Sequence, residues 1–184
     1  MLSKISRGGS RLRVDSGKPR SRDLKDTSQK RGLQVLRESN MGDVELIITK
    51  VFNASPEEVF AAWTDPVQLA QWYGPEGFTN TIHEFDLREG GTYRLTMHGP
   101  KGEDHPLRGT FRAIEKPKRL VMTWQWEGEG GMGGGETVVT VELRAIGQKT
   151  EMTMTHAGFA DEKEKTMHNQ GWSSSFNKLE KVLA

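Results

Sequence analysis

The sequence predicts an α+β fold in which one long C-terminal helix lies across a curved antiparallel sheet of seven strands. Three observations carry this expectation. A β-rich segment, Val44 to Phe52, is followed at once by two helix-start signals ten residues apart. Six further β-rich segments follow, joined by hairpin-length connections. The chain then ends in a stretch whose large apolar residues recur at helical spacing.

The first strand, Val44–Phe52, is rich in β-branched and aromatic residues, which suit a pleated, half-buried surface. Ser55-Pro56-Glu57-Glu58 then starts a helix. Ser55 can cap the free N–H groups, Pro56 fits the first helical position, and Glu58 can reach back to the cap. Ala54 and Val59 stand where a hydrophobic staple would. Asp65-Pro66-Val67-Gln68 repeats the signal for a second short helix, with Leu69, Trp72 and Tyr73 as its apolar face and Gly74-Pro75 as its stop.

Thr79 to Arg88 alternates, with Thr81, His83, Phe85 and Leu87 expected on one face and Ile82, Glu84 and Asp86 on the other. Glu89-Gly90-Gly91 reads as a hairpin turn, since the Gly pair permits positive φ. Thr92–His98 continues as a strand. Leu107–Glu115 is expected to show Gly109, Phe111 and Ala113 together, and Arg119–Glu127 to show Leu120, Met122, Trp124 and Trp126. A glycine loop over 128–135 leads to Glu136–Ala145 and then Thr150–His156, where Met152, Met154 and His156 share a face. The last helix spans Asp161–Leu183, with Asp161 as cap, Glu162 and Glu164 in the first turn, and Met167, Trp172, Phe176, Leu179 and Leu183 as the buried stripe. Gly171 inside that stripe costs about 1 kcal/mol of helix propensity relative to Ala, and allows either close approach to the sheet or room beneath the helix.

Composition narrows the function classes. Of 184 residues, 28% are charged and 34% hydrophobic, and no run approaches the ~20 apolar residues of a membrane span. The absence of cysteine excludes disulfides, thiolate catalysis and cysteine-based metal sites. No apolar signal region stands near the N-terminus, and a cytoplasmic location is expected. The net charge of +1 hides an asymmetry. Residues 1–40 hold eleven Lys or Arg against four acids, a net of +7, and the remainder carries −6. With few large apolar side chains, residues 1–40 are expected to be a disordered basic tail before a folded domain over 41–184. Three readings of the tail stand side by side: an extension upstream of a start at Met41, a weak anion or nucleic-acid contact, and an organelle transit segment.

Gly128-Glu129-Gly130-Gly131-Met132-Gly133 matches the dinucleotide pattern literally, but that mechanism needs a helix after the loop, and a strand is expected there. The five histidines share no metal-ligand spacing with one another or with a carboxylate, and no metal or cofactor is expected. Ser173-Ser174-Ser175 lacks the flanking glycines of a nucleophile elbow. What remains is the space between sheet and last helix, lined by aromatic and Met side chains, the kind of pocket that holds apolar ligands. Its walls are expected to draw on Trp72, Phe111, Trp124, Trp126 and Met154 from the helices and strands. The last helix is expected to add Trp172, beside Gly171, and Phe176. His156 and His168 are expected near the mouth, in hydrogen-bonded structural roles or in ligand contact and acid–base work. Each aromatic also has the plain reading of a core residue.

These residues also carry a resemblance. Phe52 to Phe60, Trp63-Thr64-Asp65-Pro66 and Trp72-Tyr73-Gly74-Pro75 resemble the opening signature of the proteins homologous to the activator of the heat-shock-protein-ninety ATPase, members of the START-like or helix-grip superfamily. The likeness continues through Asp86 to Gly91, Gly109-Thr110-Phe111, Arg119 to Trp124, Thr153 to Phe159 and His168 to Trp172, and covers about residues 43–184. It implies the helix-grip fold with a cavity between the sheet and the last helix. It implies no single activity. The eukaryotic namesake is a co-chaperone with an additional N-terminal domain, and other superfamily members bind lipids, hormones or polyketides, or catalyse cyclisation or hydrolysis. Three functions follow as expectations: a binding protein for a small hydrophobic molecule, a chaperone-regulating or other protein-interaction module, and an enzyme with His156 or His168 as acid–base group. The expected partners are the small molecule and, in the second case, a chaperone, with no specific nucleic acid; the chain is expected to be a monomer or homodimer.

Overall fold

The structure, a computed structural model, describes residues 44–128 and 135–184. The expected tail and the glycine-rich loop with its dinucleotide-like pattern lie outside the described residues, apart from Gly128 and Gly135.

The order of elements is β1 (Glu45–Phe52), α1 (Pro56–Thr64), α2 (Pro66–Trp72), β2 (Thr79–Phe85), β3 (Thr92–His98), β4 (Asp104–Glu115), β5 (Arg119–Trp126), β6 (Thr137–Ile146), β7 (Lys149–Ala157) and α3 (Glu162–Val182). The strands form one sheet in the order β1-β7-β6-β5-β4-β3-β2. Every neighbouring pair is antiparallel. Two-residue alternation puts Met152, Met154 and His156 of β7, and Val139, Val141 and Leu143 of β6, on the buried inner face. Against that face α3 lays Trp172, Phe176 and Leu179, all buried. This is the α+β helix-grip arrangement, with each element burying one face against the other.

Local signals set the helix starts. Ser55 Oγ accepts from the Glu58 N–H, and the Ser55 N–H donates to Glu58 Oε2 at 2.8 Å, a complete capping box. Asp65 closes α1 through its N–H to the Ala61 carbonyl and opens α2 by accepting from Val67 and Gln68. Asp161 caps α3 by accepting from the Glu164 N–H, and the Glu164 carboxylate accepts from the Ala160 N–H in return.

Three expectations change. The second strand ends at Phe85, not Arg88, and its register shifts between Ile82 and Glu84. The extra residue, His83, brings Ile82 and Phe85 onto the same core side, although simple alternation separates them. A second shift between Phe111 and Ala113 puts Ile114 rather than Ala113 on the core in β4, which also begins three residues earlier than expected. On α3, Met167 is exposed, and His168 takes the buried position next to it.

Candidate functional site

Rings fill most of the space between sheet and helix. Trp63 and Trp72, from α1 and α2, stand edge to face with centroids 4.7 Å apart. Trp63 also lies 5.7 Å from Trp172, which stacks on Phe176 at 5.5 Å. Trp124 of β5 is 5.1 Å from Trp172 and 5.5 Å from Tyr73. Such offset and edge-on pairs are worth about 0.5–1.5 kcal/mol each beyond their buried area. The centre of the grip is therefore a packed aromatic core.

A cleft of about 460 Å³ remains at one end, half open to solvent. The sheet supplies Met97, His105, Trp124 and Trp126. Helix α3 supplies His168, Gly171, Trp172 and Ser175, with Met167 and Gln170 at its side. The loop after α2 closes the third side with Gly74, Pro75 and Phe78. Lys178 holds that loop to α3. Its ammonium donates to the carbonyls of Gly74 (3.3 Å), Pro75 (3.4 Å) and Phe78 (2.9 Å), and burial lowers its pKa from the ordinary lysine value. Ser174 Oγ accepts from the Glu76 N–H, and Lys181 pairs with the Glu76 carboxylate. Gly171 leaves its part of the wall bare: a Cβ built there meets nothing nearer than Pro75 Cγ at 4.0 Å. Of the two alternatives for this glycine, the structure shows room rather than close approach.

Two buried histidines, His168 on the cleft wall and His156 behind it, have ring centroids 5.2 Å apart. An indole N–H can only donate. Trp126 donates to Nε2 of His168 at 3.2 Å, so Nδ1 carries the proton and donates to the Glu164 carbonyl at 2.9 Å. Trp172 donates to Nδ1 of His156 at 3.0 Å, so Nε2–H donates to Thr137 Oγ1 at 2.7 Å, and Thr137 passes the chain to the Trp124 carbonyl. Both rings are neutral in these networks. Burial, and then the neighbouring His168, push His156 down to about 3. Burial also lowers His168, while its bond to the Glu164 carbonyl opposes that shift. Neither ring has a nitrogen left to exchange a proton with a molecule in the cleft.

Of the residues expected to line a pocket, Trp124, Trp126, His168 and Trp172 meet at the cleft. Trp72, Phe111, Met154, His156 and Phe176 are fully buried and do not border it. Sequence reasoning missed Phe78, Met97 and His105, which reach the cleft from three separate segments. No local pattern marks those three; the sequence signal for room at this end was Gly171 beside Trp172. Among the described residues no three His, Asp or Glu side chains come together to hold a metal ion. No helix among them is long and apolar enough to cross a membrane. A second depression of about 350 Å³, formed around β3 to β5, is polar, but its cations are already answered: Arg94 pairs with Glu127, and Arg108 donates to Gln125.

Known proteins share this architecture. A protein of Chromobacterium violaceum superposes with a TM-score of 0.71 at 26% identity, over 76% of this chain and 96% of its own. A protein of Arthrobacter aurescens gives 0.68 at 27%, over 76% and 85%. The AHSA1 protein of Silicibacter pomeroyi gives 0.68 at 27%, over 76% and 97%. No curated protein matches the chain. The family model for Activator of Hsp90 ATPase homolog 1-like protein matches residues 53–184. That match takes in both short helices, β2 to β7 and the gripping helix. The chain thus belongs to the Activator of Hsp90 ATPase homolog 1-like family, and its described part is a START-like helix-grip domain.

Proposed function

We propose that this protein binds a small hydrophobic molecule in the cleft between α3 and strands β3 to β5. One observation carries the reading: a concave space of about 460 Å³ walled by tryptophan, phenylalanine and methionine, set beside the packed aromatic core of the grip. Ligand sites are commonly apolar hollows of about 300–1,000 Å³ with a few polar groups. The engaged nitrogens of His156 and His168 weigh against these two as acid–base groups, so the reading is binding rather than catalysis. Titration calorimetry with a panel of neutral aromatic and acyl compounds tests it. Binding by the native chain, lost in Gly171→Leu, supports the proposal. Failure of the whole panel, or equal binding by the variant, refutes it.

The family's description favours a second reading, a regulator of a chaperone ATPase. Its test is the chaperone's ATP turnover with and without the purified chain. Unchanged turnover together with no co-purification removes it.

A further inference from the structure

We propose that His105 is the polar anchor of the cleft, and that the molecule it holds is uncharged, flat and aromatic and carries a hydroxyl or carbonyl group. This rests on the cleft being the binding site.

The walls argue for a flat ring. Phe78, Trp124, Trp126 and Trp172 all border the space. An aromatic guest can take edge-on or offset contacts with such walls, and a flexible chain forfeits rotamer freedom to fill the same space. The lining argues against charge. Among the described residues it contains no Lys, Arg, Asp or Glu. The nearby cation, Lys178, is committed to three loop carbonyls. A charged guest would shed water here and meet no counter-ion among the described residues.

The polar lining groups then differ in what they can still do. His168 has both nitrogens engaged. The Ser175 hydroxyl already donates to the Gly171 carbonyl at 2.8 Å and is almost fully buried, and the indole N–H of Trp124, though without a partner among the described residues, is itself buried out of a guest's reach. Gln170 is exposed on α3. His105, the second residue of β4, is half-buried, and neither of its ring nitrogens has a partner among the described residues. Its ring is flanked by Phe78 and Trp126, with centroids at 5.9 and 6.2 Å. It is thus a hydrogen-bonding ring, held in orientation by aromatic neighbours, at the border of the cleft. A hydroxyl suits either tautomer, and a carbonyl suits the N–H.

Three naphthalenes of similar size, titrated calorimetrically into the full chain, test this: 2-naphthol, 2-methylnaphthalene and 2-naphthoate. The native chain is expected to bind 2-naphthol at least about ten-fold more tightly than the anionic 2-naphthoate. In His105→Phe, which keeps a ring between Phe78 and Trp126, the affinity ratio of 2-naphthol to 2-methylnaphthalene is expected to fall about five- to ten-fold, the worth of one hydrogen bond. His105→Gln, which restores a polar group, is expected to recover part of that ratio. An unchanged ratio in His105→Phe overturns the anchor, and naphthoate binding as tight as naphthol overturns the uncharged ligand. The comparison of naphthol with naphthoate needs only the native chain, so a variant that fails to fold leaves a decisive measurement. If 2-methylnaphthalene binds and the other contrasts fail, this inference falls while the cleft reading stands. If neither these compounds nor the wider panel binds, both fall.

Discussion

Trp172 donates its indole N–H to Nδ1 of His156 across 3.0 Å, and so fixes a neutral imidazole at the centre of the fold. The folded state holds His156 near 3, against an ordinary value of 6.5. Its pKa is depressed on folding, so the unfolded chain takes up the proton first as pH falls. The stability from this group is complete above about pH 6.5 and is lost progressively from there towards pH 3. Between pH 7 and pH 5 the loss from His156 alone is about 2 kcal/mol, and His168 acts in the same direction. Urea denaturation across that range is expected to show a falling midpoint at constant slope. A flat profile would contradict the neutral, buried pair.

Gly171 separates stability from occupancy. Its Cβ position is open to 4.0 Å, and a helix interior favours Ala over Gly. Gly171→Ala is expected to stabilise the protein by up to about 1 kcal/mol, raising Tm by about 2–4 °C. Gly171→Leu is expected to fold and to fill the cleft. Thermal melts of both variants check the first expectation, and ligand titration the second.

Lys178 offers three ammonium donors to three loop carbonyls. Lys178→Met keeps the apolar stem and leaves those acceptors without their partner. A cost of about 1–2 kcal/mol is expected, since the loop is only partly buried. Hydrogen exchange should quicken at the amides of residues 74–78 and stay unchanged in β6 and β7. Uniform acceleration throughout the sheet would mean that the lysine supports the whole domain and not the cleft wall.

Gly109 is where Tyr93 crosses β4. A Cβ there would stand 2.1 Å from the Thr123 carbonyl oxygen and 2.4 Å from Tyr93 Cε1, and the Tyr93 hydroxyl donates to that same carbonyl at 2.6 Å. Gly109→Ala must displace either a strand or a buried ring. The expected cost is about 3 kcal/mol, measured by chemical denaturation. Gly90→Ala, which meets only open space but has a φ of +76°, isolates left-handed backbone strain, a cost that Gly109 does not carry.

The elements that depend on neighbours in sequence were legible beforehand. Ser55, Asp65 and Asp161 announce their helices because a cap acts within three residues. The period along β6 and β7 announces a buried face for the same reason. The bulges at His83 and Arg112 were not legible, since each exists only relative to a partner strand. Hydrophobicity pointed to Met167 as the buried residue of its turn. His168 is buried instead because Trp126 and the Glu164 carbonyl satisfy both of its nitrogens, a compensation set by tertiary contacts. The cleft was legible as a region and not as a list. Trp63, Trp72 and Tyr73 enter from the short helices and close over the Phe176 side, so the open space shifts towards Phe78 and His105.

All five tryptophans stand in one unbroken chain of ring contacts, from Trp72 through Trp63, Trp172 and Trp124 to Trp126. Excitation absorbed by any one of them can migrate to the others before it is emitted. The last three border the cleft, so a quenching guest seated there would dim the emission of the whole set. The fold thus carries its own optical gauge of occupancy, and a screen for guests of the cleft requires no attached dye.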